Sequence, residues 1–362
     1  MSKKLIIKNN KKNNRKKNQL FQKFLIVPFY LLLTTSLIAV PIFNNIAPAQ
    51  AQNNSSLVER GNRLLQKGWV NDAIKVFHQA IKRNPKSIKA NLGLANAYNR
   101  AGNIDKAWNF YQRVLEIDPN HKSALKKVGL LGTYRTNWQL KGIEALSRLL
   151  SLSPSDLEAR SLRALLYYYQ GRINDSVADY QILLSKNPTP EIRLAAAETF
   201  TYANKYQEAL ELFNSYLSTG KSITKYPAVA YARTLRKTGN PTKAVKVLKA
   251  QLTDSNSLDS LAIATRSELS QAYIANNQPT EALAVLKPLR GKANAGLSLA
   301  RALNEIRKFT NDSTLVEEIA NLYQQALTKN TNPSTSLILE VANVFSGLPQ
   351  KEQTALKLYQ QA

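Results

Sequence analysis

Small, large and polar side chains recur along this chain with a period of about 34 residues. Each period contains a small residue, a second small residue twelve positions later (thirteen in the third period), and a large residue four positions after that. The first small residues are Gly61, Ala95, Gly129, Ala164, Ala197, Ala232 and Ser270. The second small residues are Ala73, Ala107, Gly142, Ser176, Ala209, Ala244 and Ala282, and the large residues are Phe77, Tyr111, Leu146, Tyr180, Phe213, Leu248 and Leu286. Residues four apart lie on one face of an α-helix, so the pattern predicts two helices per period that touch at their small residues.

Turn-forming residues and prolines divide each period at two places. Short segments such as Lys67-Gly68 lie between the two predicted helices, and residues of this kind are typical of helix-hairpin loops. The prolines that follow the second helices are 34, 35 and 34 residues apart, at Pro85, Pro119, Pro154 and Pro188. Because proline lacks the amide that would extend a helix, each one predicts a helix end.

The arrangement of small, large and proline residues resembles the tetratricopeptide repeat. In that family the small residues let the two antiparallel helices of a repeat approach closely, and aromatic side chains fill the space beside them. The resemblance implies an all-α fold, a right-handed α-solenoid of antiparallel helix pairs with about 7–9 repeats. It also implies that function lies on the surface formed by the first helices.

The period divides the body of the chain into two predicted parts. Residues 54–290 form a tandem array of about seven repeats, and residues 291–362 form weaker repeats, of which the last is incomplete. The weaker part contains the related segments LYQQAL and LYQQA, in which a bulky residue, Tyr323 or Tyr359, precedes a small one, Ala326 or Ala362, by three, as the resemblance implies for a second helix. We consider two explanations of the incomplete repeat: a fragment of a longer protein, or a last helix that docks on a partner or a second copy.

Residues 1–51 have the order of a signal peptide. A basic stretch precedes an apolar run that starts at Phe24, and Ala49 and Ala51 then offer the A-x-A pattern that a signal peptidase accepts. The apolar run, extended over residues 24–43, is also long enough for an uncleaved membrane anchor. Either alternative predicts an exported body, periplasmic or extracytoplasmic, because the positive end stays in the cytoplasm. A cytoplasmic protein with a misleading leader is the third alternative.

The chain is strongly basic, with 50 Lys and Arg against 24 Asp and Glu and a formal net charge of +26. Nine of the basic residues lie in the first 51 positions, so the remainder carries 41 basic and 24 acidic residues, about +17. This field favours anionic partners, and an anionic glycan is one candidate. The predicted export argues against nucleic acid as the partner.

No set of residues typical of catalysis or metal binding emerges from the sequence. Cysteine is absent, which excludes disulfides, thiolate nucleophiles and cysteine metal sites. The two histidines, His78 and His121, occupy unrelated phases of their repeats, and no phosphate-binding loop or H-E-x-x-H motif is present. We therefore expect a protein that is not an enzyme and that uses no cofactor and no metal.

The phase of the family places fourteen side chains on the first-helix surface as candidate ligand contacts. They are Asn62, Lys89, Asn96, Asn99, Arg100, Lys126, Lys127, Tyr134, Tyr168, Tyr169, Tyr202, Arg233, Arg236 and Lys237. Side chains of these types can hydrogen-bond an extended peptide or hold an anionic chain. Asn62, Asn96, Lys126 and Lys127 lie near a clamp that binds a terminal carboxylate in some family members, although Val58 replaces its first lysine. A further alternative is that these residues are solvated and bind nothing.

Two functions fit these observations. The first is a non-enzymatic adaptor that binds another protein or peptide through its repeat groove outside the cytoplasm. The second is a periplasmic repeat scaffold of a polysaccharide-export or cell-envelope assembly system. Membrane contact would come from the N-terminal apolar segment if that segment is not cleaved.

Overall fold

A computed structural model describes residues 47–252, 258–329 and 332–362, with side chains from residue 55 onward. The predicted signal segment at 24–43 lies outside these residues. The stretch Ala49–Ala362 forms one compact unit. None of the helices in the described ranges combines the length and apolar character needed to cross a membrane.

The described residues contain eighteen α-helices and no β-strand. The helices are α1 (Ala47–Gln66), α2 (Val70–Arg83), α3 (Ile88–Arg100), α4 (Ile104–Ile117), α5 (Lys122–Gly132), α6 (Gln139–Leu152), α7 (Leu157–Tyr169), α8 (Ile173–Leu184), α9 (Pro190–Tyr202), α10 (Tyr206–Leu217), α11 (Lys225–Lys237), α12 (Pro241–Lys249), α13 (Ser260–Ala275), α14 (Pro279–Leu286), α15 (Gly296–Thr310), α16 (Val316–Lys329), α17 (Thr335–Ser346) and α18 (Glu352–Gln361). Short 3-10 helices at Thr136–Trp138, Lys287–Leu289 and Ser313–Leu315 accompany them. The all-α class predicted from the sequence is confirmed.

Consecutive helices pair in the order of the sequence, from α3 with α4 to α17 with α18. Helix α1 pairs with α2 through Gly61 and Phe77, which gives nine pairs among the described residues. We call the odd-numbered member of each pair the first helix and the even-numbered member the second helix. Each first helix from α5 to α13 also contacts the first helix of the next repeat. Stacked helix pairs of this kind form an α-solenoid, as the sequence predicted.

Six of the pairs are joined by three-residue loops whose middle residue has a positive φ. These residues are Gly68, Gly102, Gly171, Asn204, Gly239 and Asn277, with φ between 57° and 86°. Glycine adopts this left-handed conformation without a Cβ clash, and asparagine tolerates it better than most residues. The backbone therefore reverses direction within three residues, and the two helices of each pair lie antiparallel.

The small residues of the period lie in the contact between the two helices of each pair. All fourteen are buried, as are the seven large residues that follow them. Gly61 shows why they must be small, because a Cβ built there would lie 2.7 Å from Cζ of Phe77. A Cβ on Gly129 would lie 2.3 Å from Cγ of Leu146. The small and large positions of the sequence pattern are thus the two sides of one helix contact.

The third repeat has its thirteen-residue spacing because a 3-10 turn precedes its second helix. Residues Thr136–Trp138 form this turn between α5 and α6. The indole of Trp138 stacks on Trp108 of the preceding repeat, with ring centroids 4.4 Å apart and planes 4° from parallel. Both rings are buried, so the insertion adds a contact between repeats.

The last two second helices differ in register. Tyr323 of α16 is buried, whereas Tyr359 of α18 is exposed. The two LYQQA segments therefore share a sequence but not the burial of their tyrosine. Helix α18 buries Ala355 and Leu358 instead, and this rotation leaves the Tyr359 hydroxyl at the surface, where it donates to Asn343 Oδ1 at 2.6 Å.

Candidate binding surface on the first helices

The candidate contact residues lie on α1, α3, α5, α7, α9 and α11, with Tyr134 just beyond α5. We call this row of side chains the first-helix surface. Because successive first helices contact each other from α5 to α15, a side chain of one repeat can reach a side chain of the next. The polar groups of the surface differ in whether they are bound within the chain or open to a ligand.

Two candidates in the N-terminal repeats are hydrogen-bonded within the protein. Asn96 Oδ1 accepts from the hydroxyl of Tyr111 at 2.6 Å. Burial raises the pKa of Tyr111 to about 12, so its hydroxyl remains a donor at neutral pH. Arg100 Nη1 donates to the carbonyl oxygen of Leu65 at 2.7 Å, which joins α3 to α1. These two side chains support the repeats before they meet any ligand.

Other candidates are open to solvent. The Tyr134 side chain is 58% exposed. The remaining members of this group are exposed or half-buried polar side chains: Asn62, Lys89, Asn99, Lys127 and Lys237. A ligand on the first-helix surface would meet these groups directly.

Lys126 lies between two carboxylates of the following repeat. Its Nζ is 2.8 Å from Asp156 Oδ2 and 3.1 Å from Glu158 Oε2. The hydrogen bond to Asp156 raises the pKa of Lys126. Asp156 also accepts from the amide of Ala159 at 2.9 Å and so caps α7. The terminal carboxylate of a peptide would have to compete with these two side chains for Lys126.

Tyr168, Tyr169, Tyr202 and Glu198 form a tyrosine cluster in the middle of the surface. The hydroxyl of Tyr168 donates to Glu198 Oε1 at 3.0 Å. The ring centroid of Tyr168 lies 6.0 Å from that of Tyr169 and 5.7 Å from that of Tyr202. Burial raises the pKa of Tyr168 and also the pKa of the Glu198 carboxyl. Tyr169 is 48% exposed, so the cluster is open on one side.

Arg233 and Arg236 both bind the carboxylate of Glu268, whose side chain is 1% exposed. Arg233 Nε is 2.9 Å from Oε2, and Arg236 Nη2 is 2.7 Å from Oε1. The guanidinium of Arg233 also lies 5.0 Å from the ring centroid of Tyr202. The sequence predicted a basic groove here, whereas the structure places a buried carboxylate between the two arginines. Their charge is therefore partly neutralised within the chain.

Sequence analysis did not identify Glu198 and Glu268, although a periodic signal was present. Arg163, Glu198, Arg233 and Glu268 are each 35 residues apart, and their charges alternate. A separation close to one repeat places these side chains on neighbouring first helices, so an alternating series favours pairing between repeats. Arg163 departs from this rule, because its Nη2 binds Asp179 of α8 at 2.8 Å.

The potential metal-ligating side chains are dispersed or engaged within the fold. Across the ranges that the structure describes, no group of three or more potential metal-ligating side chains lies together. His78 Nε2 is hydrogen-bonded to the Tyr98 hydroxyl at 2.8 Å. His121 Nδ1 accepts from the amide of Ala124 at 3.2 Å and so caps α5. Both histidines therefore have partners within the fold.

The chain is similar in sequence to other repeat proteins. It is 26% identical over 175 residues to a TPR repeat-containing protein of Methanocaldococcus jannaschii. The aligned region covers 46% of this chain and 31% of that protein. It is 22% identical over 180 residues to tetratricopeptide repeat protein 6 of Homo sapiens, covering 46% of this chain and 34% of that one. The chain thus spans about a third of the length of these curated relatives.

Solved structures of repeat proteins also align with the chain. A tetratricopeptide repeat protein from Parabacteroides merdae aligns with a TM-score of 0.47 and 19% identity, over 72% of this chain and 100% of that one. YrrB, a TPR protein with an unusual peptide-binding site, aligns with a TM-score of 0.43 and 15% identity, over 47% of this chain and 91% of its own.

Two segments of the chain, residues 64–128 and 161–223, match family models of the tetratricopeptide repeat. Proteins of this family generally act as non-catalytic scaffolds or adaptors that bind protein or peptide partners. The buried small and large residues keep the same phase within both segments and in the repeats that follow them. The chain therefore contains tetratricopeptide repeats in both matched segments.

Proposed function

We propose that this protein is a non-enzymatic adaptor that binds a protein or peptide partner on its first-helix surface, outside the cytoplasm. The observation that carries the proposal is the presence on that surface of exposed aromatic rings beside polar side chains of neighbouring repeats. Tyr134 and Tyr169 are 58% and 48% exposed. Exposed tyrosines on a rigid frame are frequent anchors of protein interfaces.

Internal hydrogen bonds hold much of this surface in place before a partner binds. Tyr168 is fixed by Glu198, and Lys126 is fixed by Asp156. Preorganised side chains lose less conformational freedom on binding, which favours affinity. An extended segment lying across several repeats would gain many modest contacts, and its affinity would be spread over them.

Export is proposed from the leader. The basic stretch, the apolar run at 24–43 and the alanines before position 52 support it. Fusing alkaline phosphatase after residue 60 tests the location, because the disulfides of that enzyme form outside the cytoplasm. We expect an active fusion, and an inactive one when residues 1–51 are deleted. Activity that does not depend on the leader would refute the proposed location, and the size of the mature chain distinguishes cleavage from anchoring.

A scaffold for polysaccharide export or cell-envelope assembly is the second candidate, supported by the basic body. Exposed Lys89 and Lys237 could contact an acidic glycan. Lys126, Arg233 and Arg236 already pair with carboxylates, which leaves less positive charge for a glycan, so we favour the protein partner. Binding of an acidic polysaccharide that persists in about 0.5 M salt, where surface charges are largely screened, would favour the glycan.

Site-specific photocrosslinking tests the binding surface. p-Benzoylphenylalanine replaces Tyr134 in one variant and Ile182, an exposed residue on the second helix α8, in the matched control. We expect the crosslinker at Tyr134 to capture one defined protein and the control to capture far less of it. Equal capture from both positions would show that the partner does not use the first-helix surface. No captured protein from either position would contradict the adaptor function itself.

A further inference from the structure

A cavity of about 450 Å³ opens beside the tyrosine cluster, between α7, α9 and the start of α11. Tyr168, Tyr169 and Tyr226 line it, together with Glu198. Tyr169 is 48% exposed and Tyr226 is 45% exposed, so a ligand can enter from solvent. Lys225 also lines the cavity and is exposed, and it forms no ion pair with Glu198.

Glu198 is a half-buried carboxylate that forms no ion pair with any described residue. The arginines 35 residues before and after it, Arg163 and Arg233, lie on the neighbouring first helices and are bound to Asp179 and Glu268. Those two buried carboxylates each hold two arginines. The charged residues on both sides of Glu198 are thus paired with one another. Glu198 accepts a hydrogen bond from the Tyr168 hydroxyl and has no cationic partner among the described residues.

We propose that this cavity binds the ammonium group of a lysine side chain in the partner polypeptide. The faces of tyrosine rings attract a cation, and the attraction grows when water is excluded. A carboxylate that is partly removed from water also interacts more strongly with an opposite charge than a surface carboxylate does. The cavity combines both features at one place.

The hydrogen bond from Tyr168 to Glu198 favours an ammonium over a guanidinium. Glu198 Oε1 accepts from the hydroxyl of Tyr168, which occupies one of its lone pairs, so Oε2 is the oxygen more open to a second donor. A guanidinium binds best when it engages both oxygens of a carboxylate, whereas an ammonium is a compact charge that needs one. The site is therefore matched to lysine.

The charge of the body further restricts the partner. The chain after the leader carries about +17, so a segment with many positive charges would be repelled. A single lysine within a neutral or acidic segment meets the cavity without this penalty. The inference rests on the proposed adaptor function and specifies the chemistry of its partner at one site.

The experiment uses the full chain with ¹³C-labelled tyrosine rings and a neutral Gly/Ser/Asn peptide with one central lysine. NMR titration should shift the Tyr168, Tyr169 and Tyr226 resonances, and the same peptide with Nε-acetyl-lysine should not shift them. Glu198→Gln keeps an acceptor for Tyr168 and should weaken binding by about tenfold or more. Glu211→Gln, an exposed glutamate on α10, is the matched control and should leave the affinity unchanged.

Equal affinities for the lysine and acetyl-lysine peptides would overturn the inference, as would an unchanged affinity in Glu198→Gln. If n-butylammonium chloride binds as tightly as the peptide, the site recognises free amines and not a polypeptide, and the inference is overturned. Photocrosslinking from Tyr134 separates this inference from the adaptor function. A crosslink there without lysine binding refutes the lysine site alone, and loss of the crosslink refutes the adaptor.

Discussion

Replacing Glu268 by alanine should destabilise two neighbouring repeats, because two arginines lose their counter-charge. The Glu268 side chain is 1% exposed, that of Arg236 is 11% exposed and that of Arg233 is 30% exposed. Arg233 can regain water after the substitution, whereas Arg236 regains little. Removing one partner of a buried ion pair costs about 3–5 kcal/mol, and the partial exposure of Arg233 places the expected loss near 3 kcal/mol.

Hydrogen exchange of the full chain measures this loss repeat by repeat. Each unit of a repeat protein is stabilised mainly by its neighbours, so the effect should concentrate in α11 and α13 and decline toward α3. A loss of about 3 kcal/mol corresponds to exchange roughly 100-fold faster. Glu208→Ala removes an exposed pair with Lys205, 3.2 Å apart, and should accelerate exchange less than about fivefold.

The reasoning fails if α11 and α13 exchange at wild-type rates in Glu268→Ala, or if all helices accelerate alike. Glu268→Gln separates charge from hydrogen bonding, because the amide oxygen still accepts from one arginine. We expect an intermediate acceleration for this variant. An acceleration equal to that of the alanine variant would mean that the negative charge, not the hydrogen bond, carries the whole effect.

Three further tests address the helix contact, the loops and the tyrosine cluster. Ala107→Arg should force apart the helices of its repeat and lower the free energy of unfolding by several kcal/mol, since overpacking alone costs about 1–3 kcal/mol. Lys127→Ala should barely change the free energy of unfolding. Equal shifts of the melting temperature in the two variants would contradict the assignment of Ala107 to the helix contact. Gly102→Ala puts a Cβ into open space at a φ of 73°, so urea denaturation should show a loss of about 1 kcal/mol from backbone strain alone. No loss would mean that the loop relaxes out of the left-handed region. Burial raises the pKa of Glu198, so the folded chain binds more protons than the unfolded chain at pH values above the ordinary 4.5. The wild type should therefore gain stability relative to Glu198→Gln as the pH falls from 8 toward 5, and parallel pH profiles of the two urea midpoints would refute this.

The fold could be predicted from the sequence where side-chain volume alone decides the contact. The phase of Ala107 and Tyr111 follows from the period, and both residues are fully buried. The glycines of the loops likewise occupy left-handed positions that few other residues tolerate. Spacing alone does not decide the burial of Tyr359, because Leu358 and Tyr359 offer α18 two neighbouring apolar faces, and Leu358 is the one that is buried.

The candidate surface was predicted less completely than the fold. The repeat phase assigned its residues to the first helices, but it did not show which of their charges are paired. Lys126 and Arg236 are cations in the sequence, whereas in the structure each contacts a carboxylate about one repeat away. The glutamates were overlooked because a carboxylate in a basic protein has no obvious role until its neighbours are known.

The sequence by itself determined that this protein is a stack of helix pairs, because the size of the side chain at each crossing point is encoded locally and repeats in every unit. Only the tertiary structure decided which charges are satisfied. Glu268 lies between two arginines and Glu198 faces an open cavity, although both are glutamates on first helices. Electrostatic energy depends on distance and on the loss of water around each charge, and both quantities arise only when separate repeats pack together.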